Sequence, residues 1–394
     1  MATSDDLITQ LIHHPYQPPA TWDAVPPLVA KGSTVIFDNV AALRARSWKS
    51  RAGFTYGLHG TPTTFTLEER LATLEGGRHC VLAPSGLAAI MMVDVALLKA
   101  GDEVLLPENV YGPSRELART LLADWGITHR TYNPLDVADF SAKLGDRTRL
   151  VWLEAPGSVT MEFPDLAGLV AAARARGVLT ALDNTWGAGL AFQPFALPGG
   201  QAVDISMHAL TKYPSGGADV LMGSVVTQDE ALYHRILQAH SRLGLGVGAN
   251  DVELVLRGLS SIALRYHAQD AAARQLAAWL ATQAPVTRVL HPGLPGAPGH
   301  DHWAATCSAA AGIFSILIDP AVPAVRVDAF VDALRLFKIG YSWGGPVSLA
   351  VPYDLSAMRD DRRGLDGHLV RLCIGLEAVA DLQADLAQAL ARLR

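Results

Sequence analysis

Asp183 and Lys212, 29 positions apart (from 183 to 212), are the two residues whose types and placement can do chemistry together. Asp183 closes the apolar run LTALD, and Lys212 stands in a polar, glycine-flanked turn after the run ISMHAL. A carboxylate at one strand end and an amine after the next suit catalysis through an aldehyde cofactor of the pyridoxal phosphate type. The lysine would form the Schiff base, and the aspartate would keep the pyridine nitrogen protonated so that the ring withdraws electrons. By residue type alone the same pair reads equally well as a strand-to-loop cap and a solvated surface lysine.

Other stretches add candidates. Ser85-Gly86-Leu87 lies between a short apolar run and a helical pattern, so its backbone N–H groups and the helix dipole would face an anion. In HLVRLCIG, strand alternation puts Leu369, Arg371 and Cys373 on one face and Val370, Leu372 and Ile374 on the other. An arginine among apolar neighbours on both faces needs an anionic partner, either an internal carboxylate or a ligand. Tyr111, in NVYGPS, follows another strand-like run and by itself reads more readily as core than as ligand contact. Tyr341, Ser342 and Trp343 precede two glycines that let backbone approach a ligand closely. The histidines 208, 291, 300 and 302 lack a second ligand at metal-binding spacing, so no metal site is expected.

The elements that must position these residues follow from periodicity. CVLAP, EVLLP, ITHRTYN, LVWLEAP, VLTALDN, DISMHAL and VLMGSVV read as strands, several of them separated by helical stretches of about ten to fifteen residues. That alternation predicts an α/β fold with a mostly parallel sheet covered on both faces, its functional residues at the C-terminal ends of the strands. Thr66, with Glu69 three residues on, is a capping-box start for a helix stopped by Gly76-Gly77. After about residue 250 one long helical region, the strands GIFSILI and HLVRLCIG, and a terminal helix indicate a smaller second α/β domain. In that terminal helix Val379, Leu382, Leu386, Leu390 and Leu393 define one apolar face. The expected organisation is an N-terminal arm (1–60) broken by prolines, a large domain (61–250) and a C-terminal domain (251–394).

Whole-chain properties exclude several classes. A net charge of −6 without a long basic cluster argues against nucleic acid or an anionic membrane as partner. No window approaches the roughly 20 apolar residues of a membrane span. The early acids of MATSDDLITQLIHHPYQPP do not suit a signal peptide. Three cysteines, Cys80, Cys307 and Cys373, are odd in number and scattered, which favours a reducing, cytoplasmic setting over a disulfide framework.

The sequence blocks themselves, in order, are YGLHGTPT, LEGG, PSGLAAI, NVYGPS, EAPGSVTME, ALDNTWGAG, LTKYPSGGAD, HPGLPGAPGH, YSWGG and RLCIGLE. From about Thr34 to the C-terminus they resemble the Cys/Met-metabolism family of pyridoxal phosphate enzymes, and within it the bacterial lyases that cleave cystathionine. That resemblance implies the aspartate-aminotransferase-like fold (fold type I). It makes Lys212 the Schiff-base residue and general base, Asp183 the partner of the pyridine nitrogen, and Gly86, Leu87 and Thr211 phosphate donors. Tyr111 would stack on the cofactor ring and assist proton transfer. Arg371 would hold the substrate α-carboxylate, with Ser342 and Trp343 beside it, and Tyr56, with the arginine that relatives carry two positions later, would reach the cofactor phosphate of a neighbouring subunit. The implied reaction is β-elimination of L-cystathionine to homocysteine, pyruvate and ammonia, in methionine biosynthesis. The implied assembly is a homo-oligomer, a tetramer built as a dimer of dimers with shared sites.

Three departures from the family pattern concern the ends of the site. Leu58 and His59 follow Tyr56 where relatives place an arginine at the first position, Val347 replaces a glutamate, and Ala209 replaces a serine. Ala209 leaves the phosphate one donor short, while Leu58, His59 and Val347 alter the end of the site that would meet a distal charged group; the alternatives are a broader cysteine-S-conjugate lyase or cysteine desulfhydrase, and a γ-lyase or γ-synthase of the same family. A non-catalytic homologue would be favoured by a missing lysine, and Lys212 is present.

Overall fold

The protein is described from a computed structural model over residues 6–16, 25–359 and 362–394; Pro18 and Pro19 of the expected arm lie outside the described residues. Seven strands form the first sheet: β1 His79–Ala83, β2 Glu103–Pro107, β3 Thr128–Tyr132, β4 Thr148–Glu154, β5 Leu179–Asp183, β6 Ile205–Ala209 and β7 Gly223–Thr227. Their order is β1-β7-β6-β5-β4-β2-β3. Only β7 runs against its neighbours β1 and β6, so the C-terminal ends of the other six share one edge. Both faces are covered: Leu105, Val151, Leu153 and Leu182 enter one core, while Leu106, Leu150, Trp152 and Ala181 enter another. This double burial explains why the strands read as continuous apolar runs.

The second sheet contains β8 Val286–Leu290, β9 Ile313–Ile318, β10 Lys338–Ile339, β11 Leu349–Tyr353 and β12 His368–Cys373, in the order β10-β11-β12-β9-β8. Val370, Leu372 and Ile374 pack into one core with Leu382 and Leu386 of the terminal helix Val379–Leu390. Leu369 and Cys373 face the core shared with the first sheet, as alternation requires. No described helix is long and apolar enough to cross a membrane.

Three expectations shift. The helix after the arm spans Pro62–Glu75 and starts at Thr61, not Thr66. Thr61 and Thr64 form the reciprocal cap, Pro62 occupies the first turn, and the Thr66 hydroxyl donates back to the Pro62 carbonyl. Gly76 ends the helix in the left-handed conformation, as read from LEGG. The long helical region after 250 is two helices, Ala249–Leu259 and Ile262–Leu280. Between them the hydroxyls of Ser260 and Ser261 donate to the carbonyls of Arg257 and Gly258, competing with the helical ladder. Finally, the run VLMGSVV becomes strand only from Gly223, because Met222 N–H is turned toward the Thr211 hydroxyl at 3.3 Å.

Candidate active site

The shared strand edge gathers the candidates. Glu154 and Asp183 end β4 and β5 in register, and β6 leads through Thr211 into Lys212. The Asp183 carboxylate accepts the Thr185 N–H at 3.0 Å, and the Thr185 hydroxyl accepts the N–H of Ala209, tying the aspartate loop to the lysine loop. Burial raises the pKa of Asp183, opposed by its bonds to Thr185 and by the nearby His208 and Lys212. Glu154 is raised further, by burial and by the Asp183 charge; it accepts the Tyr111 N–H at 2.7 Å and so fixes that loop. The Tyr111 ring remains 42% exposed, and burial with Asp183 and Glu154 keeps its phenol protonated.

Lys212 is mostly withdrawn from water. Its Nζ donates to Ser342 Oγ at 2.7 Å and lies 5.5 Å from the Trp343 ring centroid. Burial first, then the Arg371 charge, lower its pKa from 10.5 to about 8. The loop reaches it because Gly344 has φ 78°, and a Cβ there would stand 3.2 Å from the Lys212 carbonyl carbon. Tyr213, fully buried, anchors the next position by accepting the Gly312 N–H at 2.8 Å.

Arg371 is 7% exposed, and among the described residues no carboxylate lies within ion-pair distance of it. Its Nη2 reaches the Ser342 carbonyl only at 3.4 Å, and its Nε has no hydrogen-bond partner. The internal salt bridge is thereby disfavoured, and a buried cation is left able to receive an external carboxylate. Ser342 has φ 104°, a strained value that turns its hydroxyl to Lys212 while its carbonyl faces Arg371 and Cys373.

At the opposite side Ser85 caps the helix Gly86–Leu97, its Oγ accepting the Ala88 N–H at 3.0 Å. The first two helical N–H groups, of Gly86 and Leu87, have no acceptor within the helix. The turn has no room for larger residues: a Cβ on Gly86 would meet Ala209 Cβ at 2.8 Å, and one on Gly223 would meet the Ser85 carbonyl at 2.4 Å. The Thr211 hydroxyl is occupied by Met222 backbone at 3.3 and 3.5 Å, both long enough to leave it open to a better partner. A helix N-terminus for a phosphate, a buried carboxylate for a ring N–H and a withdrawn amine are the donor set that fits pyridoxal phosphate.

Tyr56 stands outside this cluster. Its ring, nearly half exposed, meets His59 edge-on at 6.0 Å beside an open groove of about 500 Å³ lined by Lys31, Leu58, Thr61 and Asn250. The Leu58 side chain packs toward Gly246, and His59 is held by Thr55 Oγ1 at 2.9 Å. Burial and Arg46 lower the pKa of His59, so it is a poor substitute for a permanent cation.

Two features escaped the sequence reading. Beneath the Asp183 loop the buried Glu75 carboxylate accepts from Asn184 Nδ2 at 2.8 Å and Ser206 Oγ at 2.6 Å and pairs with His208 Nδ1 at 3.1 Å. The LEGG block was visible, but its partners lie more than a hundred positions away. Tyr353 stacks against Arg371, and only the register of β11 on β12 discloses it.

Comparison with known proteins points to the same cofactor. The family model described as Cys/Met metabolism PLP-dependent enzyme matches residues 8–391. The cystathionine beta-lyase of Bordetella avium is 39% identical, over 98% of this chain and 97% of its own. The L-alanine/L-glutamate racemase of Wolbachia pipientis wMel is 33% identical, over 86% of this chain and 83% of its own. Among solved structures, cystathionine gamma synthase from Xanthomonas oryzae pv. oryzae, in complex with aminoacrylate and cysteine, superimposes with a TM-score of 0.89, at 29% identity and 99% coverage of both chains.

Proposed function

The chain belongs to the Cys/Met metabolism family of PLP-dependent enzymes, and on that premise we propose that it is a carbon–sulfur β-lyase, converting L-cystathionine to homocysteine, pyruvate and ammonia. The observation that carries the reading is the docking of the YSWGG loop on Lys212, with Ser342 Oγ 2.7 Å from Nζ and the Trp343 ring beside it. Relatives bearing the cystathionine beta-lyase name support it.

Bound pyridoxal phosphate supplies the electron sink that acidifies the substrate Cα–H bond. In this reading the Gly86 and Leu87 N–H groups would hold its phosphate, Asp183 would keep a proton on its ring nitrogen, and Tyr111 would support its ring. Arg371 fixes the α-carboxylate with parallel N–H groups. Lys212, with a pKa of about 8, is partly neutral near neutral pH and can take the Cα proton. Ser342 orients that amine. The departing sulfur then takes a proton, either from Lys212 or from the protonated phenol of Tyr111, and water converts the remaining three-carbon fragment to pyruvate and ammonia.

A second reading, a broader cysteine-S-conjugate lyase or cysteine desulfhydrase, is favoured by the uncharged Leu58, the depressed His59 and the half-exposed Val347. None of these offers a permanent charge to the far end of cystathionine. The protein acts as a homo-oligomer, a dimer of dimers in the cytoplasm. The exposed apolar residues Val25, Ile36 and Val40 of the arm support the assembly, and three free cysteines suit the compartment. The test is a product assay across cystathionine, cysteine, cystine, homoserine derivatives and L-alanine. Pyruvate with free thiol from the first substrate supports the proposal. Pyruvate from cysteine or cystine alone selects the broader lyase, 2-oxobutanoate indicates γ-chemistry, and racemised alanine without elimination rejects a lyase.

A further inference from the structure

Arg371 is held by an aromatic ring. Its guanidinium carbon lies 5.2 Å from the Tyr353 ring centroid, within the range of a cation–π contact. The strand register makes this contact. Val351 pairs with Arg371 and Tyr353 with Leu369 across β11 and β12, so Tyr353 is the diagonal same-face neighbour of Arg371. Tyr353 in turn meets the exposed Tyr341 edge-on at 6.3 Å. Polar contacts do little to orient the arginine: the Ser342 carbonyl is 3.4 Å away, the Cys373 thiol is a weak acceptor, and Nε is buried without a partner. A guanidinium placed only by such contacts would turn about its long side chain, and a bidentate grip requires a fixed plane.

We propose that Tyr353 is a positioning residue for substrate recognition: its ring face fixes the plane of the Arg371 guanidinium so that the N–H edge stays presented to the substrate carboxylate. The proposal rests on the reading of Arg371 as the carboxylate anchor. Tyr353 touches the anchor and needs no contact with the reacting atoms, so it acts on binding of the carboxylate and leaves the proton-transfer groups Lys212 and Tyr111 unchanged.

The experiment measures dissociation constants of L-alanine, which has no leaving group, and of ethylamine, its decarboxylated counterpart, from the absorbance change of the holoenzyme. Wild type, Tyr353→Phe, Tyr353→Leu, Arg371→Met and the double variant Tyr353→Leu/Arg371→Met are compared. Tyr353→Leu is expected to weaken L-alanine by about 5- to 30-fold, the range of a desolvated cation–π contact, with ethylamine unchanged. Tyr353→Phe keeps the ring and should stay within about twofold. In the Arg371→Met background the leucine substitution should add nothing. With a sulfur substrate the same loss should appear in KM and not in kcat. If Arg371→Met weakens L-alanine and Tyr353→Leu does not, or if ethylamine weakens equally, the positioning role is overturned while the anchor reading stands. If Arg371→Met leaves L-alanine binding intact, the anchor reading itself fails. Should Tyr353→Leu not fold, Tyr353→Met removes the ring while keeping a comparable apolar volume on an unbranched, adaptable side chain, and is read against the same criteria.

Discussion

In the apoenzyme Lys212 should be far more nucleophilic at neutral pH than an ordinary lysine, and the environment states by how much. Burial, reinforced by Arg371, brings its pKa from 10.5 to about 8. At pH 7 about one Lys212 amine in ten is then neutral, against roughly one in three thousand for an unperturbed side chain, a ratio of about 300. The neutral amine is the reactive form, so labelling should rise with pH through a midpoint near 8 and level off above it. The assay is competitive acylation of the apoenzyme with limiting reagent from pH 6 to 11, read by peptide mass spectrometry against exposed Lys99. Two variants should move the midpoint in opposite directions. Arg371→Met removes a cation and should raise it, whereas Asp183→Asn removes an anion that stabilises the ammonium and should lower it. A wild-type midpoint near 10, or variants that shift together, would refute the picture of an amine withdrawn from water between these two charges.

Glu75→Ala should destabilise the protein by about 3–6 kcal/mol, since it leaves the Asn184, Ser206 and His208 donors buried without an acceptor, while Glu75→Gln should cost less; chemical denaturation of the apoenzyme measures both. Leu58→Arg should slow cofactor loss during dialysis against an amine substrate by about ten- to a hundredfold, because a charged hydrogen bond to phosphate contributes roughly 1.5–3 kcal/mol. His59→Ala should change that loss little, given the depressed pKa of His59; a strong acceleration would show that the histidine supplies the missing contact. Mixing inactive Tyr56→Phe and Lys212→Ala subunits should restore activity through hybrid dimers, and no recovery after verified subunit exchange would count against shared sites.

The parts legible in the sequence were those governed by local periodicity. Apolar runs buried on both faces disclosed the strands, and the rule that parallel strands expose their C-terminal ends put Asp183, Glu154, Tyr111 and Lys212 on one edge. Arg371 was legible from alternation alone. What stayed hidden depended on distance or on competition between equivalent signals. Thr61 and Thr66 are both plausible caps, and Pro62 in the first turn decides for the earlier one. The break at Ser260–Ser261 turns on two hydroxyls bonding back to Arg257 and Gly258, a competition that a long helical pattern does not disclose. The Glu75 network joins residues 109 to 133 positions apart, and Tyr353 meets Arg371 only through a strand register that neither segment encodes alone.

The most direct measurement of the central claim is borohydride reduction of the holoenzyme followed by peptide mapping. Reduction should leave a single pyridoxyl label, on Lys212, the amine 2.7 Å from Ser342 Oγ. A label on any other lysine, or none in protein that retains the cofactor, would contradict it.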